Sequence, residues 1–511
     1  MTERGVSSGR ISAGDAKPGV KGQTKEERTT VSLGGVGRQK SEQWELALGG
    51  GGEASLAQRS GEAPRAIDGD ARSGNDHRLM EAAVERSNAR AAWKRVRQNR
   101  GSPGIDGMTV EALPKYLAEH WETLRAQLLA GSYQPQPVKR QTIQKRGGGV
   151  RQLGIPTVLD RFIQQLLLQV LQPQFDPSFS EHSYGFRPKR SAHDAVRAAQ
   201  RLIQEGRRWV VDIDLEKFFD RVNHDLLMGR LAKRIADRRV LGLIRRYLEA
   251  GMMCNGVVME RHEGAPQGGP LSPLMANVLL DEVDRELERR GLRFARYADD
   301  LNVYVGSKRA GDDAMETLRR LLARLRLRIN DSKSAVARVW DRKFLGYSYW
   351  VAPGKVVKHR VAPEALKEMK HQVRRITRRA GGRSMKSVAA ELRDYLPGWK
   401  QYFRLADTPN IFRTLDEWLR HRLRAMQLKQ WKRGTTIYRK LRARNTPESV
   451  TRAVAAHARR WWRIAAHGGL QTALPIAYFD QLGVPRLAGV DSPLFSNRRI
   501  RFRTSGGVGG G

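Results

Sequence analysis

The spacing of apolar residues in the middle of the chain predicts several helices. Between residues 159 and 171, Phe162, Leu166, Leu167 and Val170 recur at helical intervals, which indicates a long apolar helix. Similar patterns predict three more helices in this part of the chain. The first begins near His224, and the second extends from Pro270 to Arg290. The third carries an apolar face formed by Met315, Leu318, Leu321, Leu322 and Leu325.

Short runs of β-type residues lie between these helices. Residues 209–214 read Trp-Val-Val-Asp-Ile-Asp, which predicts a strand that ends in an aspartate. The runs at 294–297 and 301–305 predict a hairpin whose tip carries the acids Asp299 and Asp300. Because strands and helices alternate without a repeat, the pattern indicates an α/β or α+β core.

The pattern becomes almost purely helical at Leu366. Leu366 and Met369 begin an apolar helical face, and between Leu366 and Arg444 there are 22 Lys or Arg against 6 Asp or Glu. We therefore expect a separate basic helical domain at 364–444. Residues 445–511 are expected to form a short basic tail that could bind DNA, although a helical surface patch explains the same residues equally well.

The first part of the chain has a different composition. Residues 1–78 are rich in Gly, Ser, Arg and Glu and contain few large apolar residues. Such a segment buries too little apolar surface to offset the entropy lost on ordering, which predicts a disordered tail. A start codon assigned too far upstream would explain the same composition. Order is expected to begin near Leu79, and a first folded domain is expected at 79–350.

The charge balance indicates the kind of partner. The chain has 93 Lys and Arg against 53 Asp and Glu, a formal net charge of +40. Such an excess predicts a polyanionic partner, because phosphate binding is driven by counterion release. Cys254 is the single cysteine, which excludes an intrachain disulfide and a Cys-x-x-Cys zinc site. With no apolar run of about 18 residues and no signal peptide, we expect a cytoplasmic protein.

The acids at the hairpin tip suggest metal chemistry. Asp299 and Asp300 are adjacent, so their charges repel each other and favour a hard cation such as Mg²⁺. A strand end beside the tip would add Asp214, and three carboxylates could hold two Mg²⁺ ions for in-line phosphoryl transfer. A solvated Asp-Asp turn is the plain alternative. Capping or turn use is the preferred explanation of Asp220, and the role of Asp212 stays open.

Seven short motifs follow one another along the chain. They are LGIPTVLDR at 153–161, SYGFRP at 183–188, DLEKFFD at 214–220, GAPQGGPLSP at 264–273, YADD at 297–300, NDSK at 330–333 and FLGY at 344–347. This ordered series resembles the reverse transcriptase blocks of bacterial group II intron proteins, over residues 79–350. The sequences YLPGWKQYF at 395–403 and LDEWLRHRLR at 415–424 are similar to the thumb and maturase region of the same family.

The resemblance implies a fold and a catalytic site. The fold would be α+β, a right-hand polymerase with fingers and palm, followed by a helical thumb and maturase domain at 364–444. Asp214, Asp299 and Asp300 match the catalytic acids that hold two Mg²⁺ ions. The activity implied is that of an RNA-directed DNA polymerase that copies intron RNA with dNTPs.

The resemblance also implies roles for residues around the acids. Phe219 would exclude a ribonucleotide by meeting its 2′-hydroxyl, and Gln267 would line the nucleotide pocket. Lys145 and Arg151 would hold the triphosphate, and Lys333 would assist departure of pyrophosphate. The primer grip would consist of Phe344, Leu345, Gly346 and Tyr347.

The partners implied are nucleic acids. Intron RNA, an RNA template with a DNA primer, and target DNA are expected to bind the protein, whereas the oligomeric state cannot be read from the sequence. The expected RNA-binding residues are Lys370, Arg374, Arg375, Arg378, Lys400, Arg422 and Arg424. Since cysteine pairs and further length are missing, we expect no zinc-bearing endonuclease domain of the His-Asn-His type.

Two other interpretations stay open at this point. The protein could be an RNA-binding maturase that assists splicing alone and keeps the polymerase fold as a scaffold. It could also be the reverse transcriptase of a retron, of a diversity-generating element or of a CRISPR-linked system. The intact acids Asp214, Asp299 and Asp300 favour an active polymerase, and the basic helical region favours the intron family.

Overall fold

The computed structural model describes residues 78–144, 150–254, 257–259, 261–266, 268–378 and 382–488. The first nine helices are α1 (Leu79–Ala83), α2 (Arg86–Asn99), α3 (Leu113–Ala130), α4 (Val158–Phe175), α5 (Ala192–Gln204), α6 (His224–Ala232), α7 (Arg238–Glu249), α8 (Ser272–Arg289) and α9 (Lys308–Arg324). The predicted helices at 159–171 and 270–290 are confirmed as α4 and α8. Local sequence explains how such helices begin. The Thr157 side chain accepts from the Asp160 backbone N–H at the start of α4, for example.

The strands form three sheets among the described residues. They are β1 (Val138–Gln144), β2 (Val150–Ile155), β3 (Trp209–Ile213), β4 (Met252–Cys254), β5 (Val257–Met259), β6 (Arg293–Tyr297), β7 (Asp300–Val305), β8 (Ala335–Arg338), β9 (Tyr347–Ala352) and β10 (Val356–Val361). The strand orders are β2-β1-β4-β5, β6-β7-β3-β8 and β10-β9. Helices and strands are thus mixed, and the α+β class is confirmed.

The sheet β6-β7-β3-β8 is covered on both faces. Val211 and Val303 belong to the same hydrophobic cluster as Leu318 of α9, whereas Val210 and Tyr304 belong to the cluster that includes α5. Successive residues of a strand point to opposite faces, so a strand buried on both sides has an apolar run on each face. This burial fixes the position of β3 between its two neighbours and leaves its end, at Ile213, at the edge of the core.

The C-terminal part is helical. It contains α10 (Pro363–Ile376), α11 (Met385–Tyr402), α12 (Pro409–Trp431), α13 (Gly434–Arg442), α14 (Glu448–Ala456), α15 (Trp461–Ile464), α16 (Gly468–Ala473) and α17 (Ile476–Gln481). Val454, Leu470 and Phe479 are buried in the same cluster as Leu392 of α11 and Leu419 of α12. Residues 448–488 therefore do not form the expected tail. They fold onto this core, mostly as short helices. No described helix is both long and apolar enough to cross a membrane.

The sequence expectation for residues 1–78 lies outside the described residues, except for Arg78. The same holds for the end of the chain after Ala488.

Candidate active site

The register of the central sheet places three acids close together. In the antiparallel pair β3–β7, Ile213 lies opposite Leu301, so the next positions in the same register are Asp214 and Asp300. Side chains directly opposite each other in such a pair have Cβ atoms about 4.5–5.5 Å apart. The predicted hairpin is confirmed, because β6 and β7 pair up to Tyr297 and Asp300, and Asp299 lies in the connecting turn.

The segment of the NDSK motif holds Asp214. The Asp214 backbone N–H donates to Ser334 Oγ over 2.9 Å, and its carbonyl accepts from the Asn330 N–H over 2.8 Å. Lys333 Nζ lies 3.0 Å from Asp214 Oδ2 in an ion pair that is largely exposed to solvent. The structure thus brings Lys333 next to Asp214, and its expected role in pyrophosphate departure stays a prediction.

Burial and mutual repulsion act on the acids. The pKa of Asp300 is raised to about 8, first by burial and then by the charges of Asp212, Asp299 and Asp214. Burial also raises the pKa of Asp212, and Arg342 counteracts this by donating from Nε to Asp212 Oδ2 over 2.7 Å. Asp212, whose role the sequence left open, is therefore an ion-pair partner of Arg342.

The donor chemistry of this site fits a divalent cation. Carboxylate oxygens are hard ligands, and a nearby cation would favour the ionised form of Asp300. Within the described part of the chain, no three His, Cys, Asp or Glu side chains already surround one metal position. The side chain of Asp214 is instead paired with Lys333. Asp214, Asp299 and Asp300 fit a divalent cation in the type of ligand atom, in charge and in their positions at the strand ends.

Phe219 lies in a one-turn 3-10 helix, Phe218–Asp220, that follows β3. Its ring is half-buried and packs against Phe218 with the ring centroids 5.1 Å apart. The Phe219 carbonyl accepts from the Ala265 N–H over 2.7 Å, and a Cβ on Gly264 would lie 3.0 Å from the same oxygen. Gly264 has φ +90°, so the close approach of the two loops depends on glycine there.

Three of the expected nucleotide-binding residues cannot be placed. Lys145 and Gln267 lie outside the described residues, and of Arg151 the structure describes the backbone, in β2, but not the side chain. The loop of Gln267 is nevertheless anchored on both sides. Gly264 and Ala265 meet the turn of Phe219, and a Cβ on Gly268 would lie 2.7 Å from the carbonyl oxygen of Gly154 in β2.

The segment 344–347 forms a tight turn. Phe344 and Tyr347 exchange two backbone hydrogen bonds of 2.8 and 3.0 Å, and Leu345 and Gly346 both have positive φ. The side chains of Phe344 and Tyr347 are buried, and the ring of Tyr347 packs 5.2 Å from that of Phe403. The two aromatic rings therefore belong to the core, and the Leu345 and Gly346 carbonyls accept hydrogen bonds from the Tyr402 hydroxyl and the Ala362 N–H. The use of this turn as a primer grip stays a prediction.

The expected RNA-binding residues fall into two groups. Lys370, Arg374 and Arg422 surround the ring of Trp418, with their charged groups 5.9, 5.7 and 5.4 Å from its centroid. We call these four residues the Trp418 surface. Arg422 also lies 5.9 Å from the ring of Trp462, which is 44% exposed. Cation–π contacts of this kind hold several cations at one place on the protein surface.

The other expected cations differ in exposure. Arg375 and Arg378 are exposed, and Lys400 is half-buried. Arg424 does not lie on the surface, because it is buried and its Nε donates to the Leu474 carbonyl over 3.0 Å. Its expected role in RNA binding is therefore replaced by a structural one, a link between α12 and the segment after α16.

Sequence reasoning missed the polar group that lies beneath the hairpin. Arg296 is buried directly before the YADD motif, and its side chain contacts Asp284, Asn277, Ser183 and the Ala298 carbonyl. The available signal was an arginine between Ala295 and Tyr297, inside a predicted buried strand.

Comparisons with known proteins agree with this architecture. The family model described as "Reverse transcriptase (RNA-dependent DNA polymerase)" matches residues 143–349. The chain therefore contains a reverse transcriptase domain, and the acids described above lie within it. The model described as "Group II intron, maturase-specific domain" matches residues 366–445. The chain belongs to the group II intron reverse transcriptase–maturase family.

Individual relatives match different shares of this chain. Protein YkfC of Escherichia coli (strain K12) is 35% identical over 286 residues, which are 48% of this chain and 75% of YkfC. The group II intron-encoded protein LtrA of Lactococcus lactis subsp. cremoris is 34% identical over 206 residues, 40% of this chain and 34% of LtrA. A 91 kDa protein in the cob intron of Schizosaccharomyces pombe is 33% identical over 184 residues, 36% of this chain and 22% of that protein.

Proposed function

We propose that this protein is an RNA-directed DNA polymerase that copies a group II intron RNA and binds that RNA to assist splicing and mobility. The observation that carries the proposal is the register that sets Asp214 opposite Asp300, beside Asp299, within a reverse transcriptase domain. The maturase-specific match at 366–445 supports intron RNA as the partner. Target DNA, a DNA primer and dNTPs complete the set of proposed partners.

The proposed chemistry is phosphoryl transfer to a primer 3′-hydroxyl. Asp214, Asp299 and Asp300 would hold two Mg²⁺ ions, which supply the charge that activates the hydroxyl and stabilises the leaving pyrophosphate. Lys333 lies next to Asp214 and is exposed, so its ammonium group can reach a phosphate from the same side. Phe219 would limit the space at the sugar 2′ position, since its turn is fixed against Ala265.

The proposed arrangement is that of a right hand. Residues 79–350 would form fingers and palm, and 364–444 would form the thumb and maturase region. The Trp418 surface belongs to the latter region and would bind RNA through phosphates and shape. Exposed Arg375 lies on the same helix, α10, and exposed Arg378 follows the end of that helix; both would extend this basic surface.

A primer-extension assay on an RNA template with Mg²⁺ tests the proposal. We expect DNA synthesis from the purified full-length chain, and none from Asp299→Ala. RNA affinity and intron splicing by Asp299→Ala are expected to stay close to the wild-type values, because the acids and the Trp418 surface lie in different parts of the fold. Asp313→Ala, an exposed acid on α9, serves as the matched control. A wild-type chain that binds intron RNA but makes no DNA would leave the splicing-only function.

A further inference from the structure

The turn that carries Asp299 has an unfavourable backbone conformation. Ala298, the first of the two residues between β6 and β7, has φ +58° and is buried. A left-handed conformation of this kind costs about 1–2 kcal/mol for a residue with a Cβ. It persists when the surroundings determine the conformation. We therefore expect contacts from neighbouring residues to stabilise this turn.

The guanidinium group of Arg296 reaches the turn from within the core. Its Nη1 donates to the Ala298 carbonyl over 2.9 Å and to Asn277 Oδ1 over 3.0 Å. Its Nε and Nη2 donate to the two carboxylate oxygens of Asp284, and Nη2 also donates to Ser183 Oγ over 2.8 Å. All five N–H groups of the guanidinium thus have a partner. Arg296 and Asp284 are 1% and 0% exposed, so water does not compete for these bonds.

Backbone of a second segment also approaches the turn closely. A Cβ on Gly185 would lie 2.2 Å from the Ala298 backbone nitrogen, so glycine alone allows this approach. The Gly185 carbonyl accepts from Asn277 Nδ2 over 2.9 Å. The Tyr184 N–H donates to the Arg296 carbonyl over 2.8 Å. The turn therefore contacts both the Arg296 guanidinium and the segment that contains Gly185, and Asn277 links the two.

We propose that Arg296 is a positioning residue of the polymerase site, and that Asp284, Asn277, Ser183 and Gly185 hold it in place. The guanidinium fixes the Ala298 carbonyl, which orients the peptide before Asp299 and sets the direction of both acids toward Asp214. Asp284 neutralises the charge of Arg296, so the network supplies hydrogen bonds without a net cation that would compete for the acids. The inference rests on the proposed polymerase function and adds residues that do not touch substrate.

Two kinds of variant separate positioning from simple stabilisation. The double variant Arg296→Met/Asp284→Leu replaces a buried ion pair with apolar side chains, an exchange that often preserves stability. Gly185→Ala removes no charge and instead pushes against the Ala298 nitrogen. Gly242→Ala on α7 is its matched control, because a Cβ there meets nothing within 4 Å.

The first measurement is hydrogen exchange of a peptide that covers 297–300. We expect faster exchange in both variants than in the wild type and in Gly242→Ala, with unchanged exchange in the neighbouring strand β3. This measurement does not require polymerase activity. Protection of the 297–300 peptide equal to that of the wild type in the folded variants would overturn the positioning role, even if the wild type synthesises DNA.

The second measurement is single-nucleotide incorporation as a function of Mg²⁺ concentration. A displacement of the acids by about 1 Å is expected to lower kcat by about 100-fold. It should also raise the Mg²⁺ concentration at half-maximal rate, whereas RNA affinity stays unchanged. A purely structural ion pair would move the melting temperature but not the Mg²⁺ dependence. Wild-type kcat and Mg²⁺ dependence in both folded variants would contradict the inference, whereas an inactive wild type would contradict the proposed function instead.

Discussion

The burial of Asp300 predicts a measurable dependence of stability on pH in the metal-free protein. Its pKa is about 8 in the folded chain, against an ordinary aspartate pKa of 3.8. Above pH 3.8 the unfolded chain loses this proton while the folded chain keeps it, so stability falls as pH rises and the loss is complete above pH 8. At about 1.36 kcal/mol for each pH unit, the fall between pH 5 and pH 8 is about 4 kcal/mol.

Asp300→Asn removes this titration and keeps the shape of the side chain. We measure the free energy of unfolding by urea denaturation in EDTA at pH 5 and at pH 8. We expect its fall between these pH values to be smaller in Asp300→Asn than in the wild type, by about 4 kcal/mol. Asp212 also has a pKa raised by burial and its charge acts on Asp300, so the difference between the two proteins reports Asp300 together with its coupling to Asp212. The exposed acid Asp313 provides the control variant Asp313→Asn.

Asp300→Asn also tests whether the group that titrates is the group that binds Mg²⁺. Added Mg²⁺ should stabilise the wild type most at pH 8, where Asp300 must be ionised to bind it, and should have little effect on Asp300→Asn. The variant is expected to make no DNA although it is more stable at pH 8. Parallel stability profiles of the wild type and Asp300→Asn across this pH range would refute the reasoning.

Three further outcomes follow from the structure. Phe219→Ala should raise the incorporation of ribonucleotides relative to deoxynucleotides in a single-nucleotide assay, and an unchanged ratio would remove Phe219 from sugar selection. Arg374→Gln should weaken RNA binding and reduce the salt dependence of the affinity by about one phosphate contact. Filter binding at salt concentrations between about 50 and 200 mM measures both effects. Arg424→Met should lower the melting temperature and leave RNA affinity at equal salt unchanged, since Arg424 donates to the Leu474 carbonyl in the interior; a selective loss of affinity would restore it to the RNA surface.

The sequence predicted the elements of the site well, for a physical reason. The apolar run before Asp214 and the two runs around Asp299 are strong strand signals, because strands buried on both faces need apolar residues at successive positions. The pairing of β3 with β7 could not be read from these runs, since register depends on contacts between distant segments. The family resemblance supplied that proximity as an expectation, and the register provides its geometry.

The basic residues were harder to assign. Arg424 and Arg374 have the same charge and lie on neighbouring helices of a strongly basic region, yet one is buried and the other exposed. An arginine with a long apolar stem can enter a core when its head finds a carbonyl, as Arg424 does. Whether Arg424 is buried depends on the packing of the helices after residue 448, and the sequence analysis expected a tail in that part of the chain.

Two cations close to the acids, Arg296 and Lys333, have different surroundings. Arg296 is buried and neutralised by Asp284, so it can orient the turn without attracting the carboxylates of Asp299 and Asp300. Lys333 is exposed and paired directly with Asp214. An exposed ion pair contributes little stability, so Lys333 can leave Asp214 at small cost when a divalent cation binds. In the proposed mechanism, Arg296 would hold the geometry of the turn, and Lys333 would occupy a place that a metal can take.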